Sequence, residues 1–155
     1  MLGTTGRKET SGDLDLAVDE TKITKEGLIN KLKQWLDKNN LDVKKYIKKS
    51  GDSVHFNTPI NGKGPEYVQT DFMFGEPEWM AWAYRGSSLD SKFKGAHVTV
   101  LLASVAKFKN FKIGRKEGLI DRKTNRFITK DPEKIAKIVL GTKYSAEDLN
   151  SVESI

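Results

Sequence analysis

The first alternation of polar and apolar residues lies near the start of the chain, where residues 13–18 read Asp-Leu-Asp-Leu-Ala-Val. Successive side chains of a β-strand point to opposite faces. A strand here places Asp13 and Asp15 on one face and turns Leu14, Leu16 and Val18 towards a core. Two carboxylates side by side repel each other, so the pattern favours bound cations.

The next part of the chain changes between helical and strand spacing. Apolar residues over 24–38 fall on one stripe, which predicts an amphipathic helix. Alternation over 41–48 predicts a strand, and residues 53–57 predict its partner. A turn-rich loop over 59–65 leads to a further strand over 67–74, in which Asp71 lies between apolar neighbours. We expect Asp71 to be the third carboxylate beside Asp13 and Asp15.

The second half shows mainly helical spacing, with a loop over 85–94 that is rich in glycine, serine and lysine. Residues 111–129 predict a small β-hairpin region, with turn residues at 123–125. Asp131-Pro132 is a helix start and Gly141 a helix end. The helices predicted in this half cover residues 77–84, 96–108 and 132–140.

Composition limits the possible chemistry. The chain has 155 residues, about one domain's worth, and no cysteine. Disulfides, thiolate zinc sites and cysteine nucleophiles are therefore excluded, which suits a reducing compartment. Only His55 and His97 could supply imidazole, so a histidine-rich metal cage is excluded too; we expect His97 to cap a helix or face solvent.

Charge and hydropathy indicate the setting of the protein. No apolar stretch approaches the roughly 20 residues that span a bilayer, and the N-terminus has no signal pattern. We expect a soluble cytoplasmic protein without a membrane partner. The net charge of +6, from 27 Lys and Arg against 21 Asp and Glu, moderately favours polyanions. Nothing in the pattern indicates an oligomeric state.

A glycine-containing turn over residues 3–7 precedes the carboxylates. It offers an anion backbone N–H groups, the hydroxyls of Thr4 and Thr5, and the guanidinium of Arg7. Asp13 and Asp15 can bind cations, and the turn beside them can bind an anion. Together they indicate a site for a metal and a triphosphate. The alternatives left open are a solvated acidic pair and an ordinary loop cation at Arg7.

Residues 3–15, Gly-Thr-Thr-Gly-Arg-Lys-Glu-Thr-Ser-Gly-Asp-Leu-Asp, resemble the signature of the nucleotidyltransferase superfamily. The resemblance is closest to the family X DNA polymerases, typified by DNA polymerase beta. Residues 68–74 resemble the strand that holds the family's third aspartate, and residues 84–87 its aromatic-x-glycine-serine turn. The segments over 117–119 and 130–141 are similar to the thumb hairpin and its closing acidic helix.

This resemblance implies an α+β fold with two parts. A nucleotidyltransferase-type mixed β-sheet (palm) flanked by helices would cover residues 1–84. A small C-terminal helix and hairpin (thumb-like) subdomain would cover residues 85–155. The change in composition over 75–91 agrees with a boundary in this region.

The resemblance also implies a metal-dependent nucleotidyltransferase that transfers a nucleoside monophosphate from an NTP or dNTP to a nucleic-acid 3′-hydroxyl and releases pyrophosphate. Two Mg²⁺ ions, for which Mn²⁺ could substitute, would stabilise the attacking and leaving oxygens. Asp13 and Asp15 would bridge both ions, whereas Asp71 would hold only the ion at the nucleophile and draw the hydroxyl proton away. The nucleotide would be held at its β- and γ-phosphates by Gly3, Thr4 and Arg7, and at its sugar by Tyr84, Gly86 and Ser87.

Two lysine-rich stretches predict contacts to a DNA or RNA primer strand, the alternative being solvated faces. One stretch includes Lys92 and Lys94 and continues through lysines 107, 109 and 112, with phenylalanines 93, 108 and 111 between them. The other consists of lysines 44, 45, 48 and 49. Tyr84, with Trp79 and Trp82, is either subdomain packing or a nucleotide platform.

The chain departs from the family pattern at several positions. Thr4 stands where serine is usual, Ala83 where an aromatic residue is common, and Arg85 where a small polar residue is usual, which leaves the choice between ribose and deoxyribose open. Only Met1 and Leu2 precede the Gly-Thr turn, so we expect a fragment or a reduced version.

Two other readings stay open beside a primer-extending enzyme. One is a nucleotidyltransferase that modifies a tRNA end, a protein hydroxyl or a small molecule, because one scaffold accepts many acceptors. The other is a non-catalytic nucleic-acid-binding relic of the fold. The three intact aspartates count against a relic.

Overall fold

The structure, a computed structural model, describes residues 1–3, 9, 11–87 and 90–155. It has an α+β fold, with one four-stranded mixed sheet and one three-stranded antiparallel sheet. The chain divides into two compact units, Met1–Pro77 and Glu78–Ile155. The compact units divide between Pro77 and Glu78, whereas the predicted parts divide after residue 84. The palm-like and thumb-like character of the two parts stays a prediction.

The first unit is built on the four-stranded sheet, whose strand order is β1-β4-β3-β2. Strand β1 is parallel to β4, and the other neighbours are antiparallel. A short 3₁₀ turn, Ile60–Gly62, lies between β3 and β4. The strands predicted over 13–18, 53–57 and 67–74 are confirmed. Their bounds are Asp13–Asp19 for β1, Ile47–Ser50 for β2, Ser53–Pro59 for β3 and Tyr67–Gly75 for β4.

The predicted amphipathic helix is confirmed as α1, Lys25–Lys38, which begins after Thr24 because the Thr24 hydroxyl accepts a hydrogen bond from the backbone N–H of Gly27. Its buried residues pack against apolar side chains of the sheet, in one cluster around Ile29 and another around Leu36. The apolar strand residues that pack in these clusters lie on the α1 side of the sheet, among them Val18, Val54, Phe56, Phe72 and Phe74.

The strand predicted over 41–48 is wrong for most of its length. Val43–Tyr46 forms a short helix, α2, and strand β2 begins only at Ile47. The Asp42 carboxylate caps α2 by accepting a hydrogen bond from the backbone N–H of Lys44 at 3.0 Å. Tyr46 then packs into the Leu36 cluster. A segment of so few residues is too short for its spacing to separate a strand from a single helical turn, so tertiary packing decides.

The second unit combines three helices with the small sheet, and its core is one continuous cluster that includes Trp79, Leu102, Leu119, Ile135 and Leu149. The three helices predicted from spacing are confirmed. They are α3, Pro77–Ala83, whose first residue belongs to the first unit; α4, Gly95–Phe108; and α5, Pro132–Val139, followed by a 3₁₀ turn, Ala146–Leu149.

The hairpin region predicted over 111–129 is a three-stranded antiparallel sheet of order β5-β6-β7. Its turn at residues 123–125 is stabilised by the Asp121 carboxylate, which accepts hydrogen bonds from the backbone N–H groups of Lys123 and Thr124. The strands are β5, Phe111–Gly114; β6, Gly118–Asp121; and β7, Phe127–Thr129.

The boundaries of α5 follow from local chemistry, as predicted. The Asp131 carboxylate accepts a hydrogen bond from the backbone N–H of Glu133 at 2.9 Å, and Pro132 occupies the first turn. Gly141, with φ of +135°, follows the last turn. Across the residues that the structure describes, no helix combines the length and apolar character needed to cross a membrane.

Candidate metal centre

Three carboxylates converge where the edge strand β1 pairs with β4. Asp13 and Asp15 project from β1, and Asp71 projects from the neighbouring strand β4, where it pairs directly with Asp15. One carboxylate oxygen from each residue lies within 4.8 Å of the other two. The expected approach of Asp71 to the other two aspartates is therefore present in the structure. Parallel pairing of β1 and β4 produces it, because residues that are direct partners share a face.

The carboxylates of the cluster repel one another. Asp71 is only 7% exposed, and Asp13 and Asp15 are partly buried. Burial raises the pKa of Asp15 above its ordinary value of 3.8, and the negative charges of Asp13 and Asp71 raise it further, whereas His55 acts in the opposite direction. A bound cation would relieve this repulsion.

The donor atoms of the cluster suit a hard divalent cation. All three side chains offer carboxylate oxygens, which Mg²⁺ and Mn²⁺ prefer over softer metals. Thiolate ligands are excluded because the chain has no cysteine. The residues present therefore fit the predicted Mg²⁺ ions, with Mn²⁺ as a substitute.

Two neighbouring side chains hold Asp71 in place. His55 Nδ1 lies 2.6 Å from Asp71 Oδ1, and the ring N–H is the donor because an ionised carboxylate only accepts hydrogen bonds. Gln69 Nε2 donates to both carboxylate oxygens of Asp71, at 2.9 and 3.2 Å. Neither His55 nor Gln69 is predicted from the sequence to bind Asp71. The signal for His55 was its place in a predicted strand, but only the strand register puts it opposite Asp71.

A cavity of about 360 Å³ is bordered on one side by His55 and Gln69, the two side chains that bind Asp71. We call it the lysine cavity, because exposed lysines of α2 and β2 form its other side. It thus brings part of the predicted basic stretch over 44–49 close to Asp71. Its lining residues are Lys44, Lys45, Tyr46, Ile47, Lys48, His55, Asn57 and Gln69.

The strand register arranges this face of the sheet as a gradient of charge. Lys48 on β2 pairs with His55 on β3, His55 pairs with Asp71 on β4, and Asp71 pairs with Asp15 on β1. Directly paired residues share a face of a sheet, so the row runs from a cation through an imidazole to two carboxylates. With about 4.8 Å between strands, the backbones of Lys48 and Asp71 are about 10 Å apart.

A second row lies parallel to the first. Asp13 on β1 pairs with Gln69 on β4, and Gln69 pairs with Asn57 on β3. The Asn57 side chain donates a hydrogen bond to the backbone carbonyl of Lys45 at 3.0 Å. This bond fixes the end of α2 against the sheet, and thereby places the lysine-bearing segment beside the polar face.

The predicted phosphate-binding turn is described only in part. Gly3 adopts a positive φ of +60°, a conformation that favours glycine, and the N–H of the preceding Leu2 donates to the backbone carbonyl of Asp15 at 2.8 Å. The start of the turn is therefore tied to β1 next to the carboxylates. Thr4 and Arg7 lie outside the described residues, so their predicted contacts to phosphate stay predictions.

The residues predicted to receive the nucleotide sugar lie in the second unit. Tyr84 packs against its core, and the Arg115 guanidinium lies 4.7 Å from the centre of its ring. Gly86 passes so close to Gly95 that a side chain at Gly95 would collide with backbone atoms. The Ser87 hydroxyl donates to the backbone carbonyl of Phe93. The roles of Tyr84, Gly86 and Ser87 towards a nucleotide stay predictions.

Arg85, which departs from the family pattern, has a structural role. Its buried guanidinium lies 3.9 Å from the centre of the Trp82 ring and donates to Asn150 Oδ1 and to the backbone carbonyls of Trp82 and Leu149. Burial lowers its pKa to about 10. These bonds tie the end of α3 to the last 3₁₀ turn of the unit.

The second predicted nucleic-acid stretch is exposed around the start of α4. Lys92, Phe93 and Lys94 are all exposed, and the backbone N–H of Lys94 donates to His97 Nδ1 at 3.1 Å. His97 thus caps α4, as expected. Phe108 at the other end of α4 is 88% exposed. Contacts of Lys92 and Lys94 to nucleic acid stay predictions.

Comparison with known proteins leaves the family of the chain open. No protein-family model matches the chain, and no curated protein matches it. The function has to be inferred from the carboxylates, their partners and the lysine cavity.

Proposed function

We propose that this protein is a metal-dependent nucleotidyltransferase similar to the family X DNA polymerases. It transfers a nucleoside monophosphate from an NTP or dNTP to a nucleic-acid 3′-hydroxyl and releases pyrophosphate. The observation that carries the proposal is the convergence of Asp13, Asp15 and Asp71 within 4.8 Å on two parallel strands. The lack of cysteine suits a reducing compartment, so a cytoplasmic location belongs to the same proposal.

The chemistry of nucleotidyl transfer explains why three carboxylates are useful. Asp13 and Asp15 would hold divalent cations, which would supply stabilisation of negative charge on the attacking and leaving oxygens of the α-phosphate displacement. Asp71 binds on the side of the attacking hydroxyl and accepts its proton, because it is a fixed carboxylate held by His55 and Gln69.

The lysine cavity supports a polyanionic acceptor. Lys44, Lys45 and Lys48 line the cavity that reaches Asp71 through His55 and Gln69. A chain of phosphodiesters that ends with its hydroxyl at Asp71 would have cations within reach of its backbone, and such contacts supply most of the affinity for nucleic acid. A small neutral acceptor or a protein hydroxyl would offer these lysines no partner of opposite charge.

The nucleotide is held by the groups that the resemblance implies. The resemblance assigns the β- and γ-phosphates to Gly3, Thr4 and Arg7. Tyr84, Gly86 and Ser87 receive the sugar. Support for the first half of this assignment is the bond between Leu2 and Asp15, which anchors the turn beside the carboxylates.

The decisive experiment offers labelled NTPs and dNTPs, with Mg²⁺ or Mn²⁺, to a primed duplex, a single strand, bulk tRNA and a sample without nucleic acid. We expect label on a primed DNA or RNA 3′ end. Asp15→Asn should reduce transfer by at least about 1,000-fold, because one shared oxygen ligand of the cations is replaced by a neutral amide. The readout is the rate of primer extension on a gel.

Asp37→Asn is the matched control, since it removes the same charge from an exposed position on α1 and should leave the rate unchanged. Label on tRNA alone would favour a tRNA-modifying enzyme. Label on the protein itself would favour protein nucleotidylation. Full transfer by Asp15→Asn would exclude Asp15 from the site.

A further inference from the structure

His55 and Asp71 form a close side-chain pair on the charged face of the first sheet. Their atoms Nδ1 and Oδ1 are 2.6 Å apart, and the pair is directly opposed across β3 and β4. The side chain of His55 is 27% exposed and that of Asp71 10% exposed. The bond is therefore partly shielded from water, where a charge-assisted hydrogen bond is stronger than at an open surface.

Asp71 needs such a partner because of its neighbours. Asp13 and Asp15 place two carboxylates within 4.8 Å of it, and their repulsion favours a rotation of Asp71 away from them. Gln69 also binds the carboxylate, but its side chain is exposed and has more rotatable bonds. The short, ring-shaped side chain of His55 loses less freedom when it holds a fixed direction.

We propose that His55 is a positioning residue, which holds the carboxylate of Asp71 towards Asp13 and Asp15 so that the three together bind a divalent cation. This inference rests on the cation site of the proposed function, and its kinetic consequence rests on the proposed transfer reaction. Groups that orient a metal ligand in this way typically change metal affinity or activity by 10- to 100-fold when they are removed.

The test compares three variants of the full chain. His55→Leu removes the donor, whereas His55→Asn keeps an N–H donor close to the position of Nδ1. Thr58→Val is the matched control, because it removes a side-chain hydrogen bond between the same two strands, from Thr58 to Thr70, rather than the bond to Asp71. Mn²⁺ binding without nucleotide is measured by electron paramagnetic resonance, and circular dichroism melting verifies that each variant is folded.

We expect His55→Leu to weaken Mn²⁺ binding by at least about tenfold, with His55→Asn within about threefold of the unchanged protein and Thr58→Val equal to it. Where transfer is measurable, His55→Leu should lower kcat by about 10- to 100-fold and leave KM for the nucleotide within about twofold. KM should change little because Asp71 serves the side of the attacking hydroxyl.

Three outcomes would overturn the positioning role: unchanged Mn²⁺ binding in folded His55→Leu, equal weakening in Thr58→Val, or failure of folded His55→Asn to restore binding. If no acceptor receives a nucleotide but Mn²⁺ binding follows the expected order, the positioning role stands and the proposed function fails. If transfer occurs and His55→Leu matches the unchanged protein, the positioning role alone fails.

Discussion

At the scale of single residues, Asp15 shows most clearly how the carboxylate cluster lowers the stability of the folded protein. Its pKa is raised by burial first and then by Asp13 and Asp71. A carboxyl with a raised pKa binds its proton more tightly in the folded chain than in the unfolded chain. Its contribution therefore favours folding at low pH and falls as the pH rises above the ordinary value of 3.8, up to the raised pKa.

Asp15→Asn should for this reason raise the melting temperature of metal-free protein at pH 7. The increase should shrink as the pH is lowered towards 4, because wild-type Asp15 then takes up its proton. Melting curves in EDTA between pH 4 and pH 7 measure this. An equal increase in Asp37→Asn would assign the effect to net charge, and a decrease at pH 7 would contradict repulsion within the cluster.

Sequence could predict Asp71 but not His55. The alternation of residues 67–74 places Asp71 on the polar face of a strand, and the need of Asp13 and Asp15 for a cation gives a reason to bring it near. The partner of Asp71 depends on which residue of β3 lies opposite, and a shift of one residue would turn His55 to the α1 side. The register is set by the folded sheet.

At the scale of elements, the short helix α2 determines where the lysines of the cavity lie. Its single turn depends on the Asp42 cap, with 3.0 Å between Asp42 Oδ1 and the backbone nitrogen of Lys44. A helix of four residues has little stability of its own, so the cap and the packing of Tyr46 maintain it.

Asp42→Ala should lower the free energy of unfolding by about 1 kcal/mol, because the N–H of Lys44 loses its acceptor. Asp42→Asn should remain within a few tenths of wild type, since its amide oxygen can also accept the bond. Urea unfolding followed by circular dichroism gives both values. An equal loss in Asp42→Asn would point to charge instead of capping, and Asp37→Ala controls for the loss of an exposed aspartate.

The long elements were predictable, and the short ones were not. Helix α1 has several turns of apolar spacing and a threonine cap, and α5 has Asp131 and Pro132 at its start, so local signals and the final fold agree. Helix α2 has one turn, and the alternation of Leu41, Val43 and Ile47 with charged residues predicts a strand there. Packing of Tyr46 against Leu36 and Phe56, which lie elsewhere in the sequence, decides its conformation.

At the scale of the whole molecule, the net charge of +6 does not show where a polyanion binds, because basic residues occur along the entire chain. The first unit offers a sharper criterion. On the polar face of its sheet, Lys48 lies on β2, and the carboxylates lie on β1 and β4. The lysine cavity is lined by Lys48 and by His55, the residue between Lys48 and Asp71 in the paired row. Lysines on α1 provide a comparison set, since they lie on an element that packs against the apolar side of the sheet.

The triple variant Lys44→Ala, Lys45→Ala, Lys48→Ala should bind a labelled single-stranded oligonucleotide at least about tenfold more weakly at low salt. If all three contact phosphates, the slope of log K against log salt should become about 2 units less steep. Fluorescence anisotropy in EDTA measures binding without turnover. The variant Lys31→Ala, Lys33→Ala, Lys38→Ala has the same net charge, and equal weakening there would exclude a specific role for the cavity.

The parallel pairing of β1 with β4 has a consequence for how the protein is made. Asp15 and Asp71 are far apart in the chain, whereas β3 and β4 are joined by a short connection and can form a hairpin early. Strand β1 must wait for that hairpin before it can dock beside β4. The three carboxylates therefore come together only after β4 has been synthesised, and a nascent chain that lacks this strand could not form the proposed cation site.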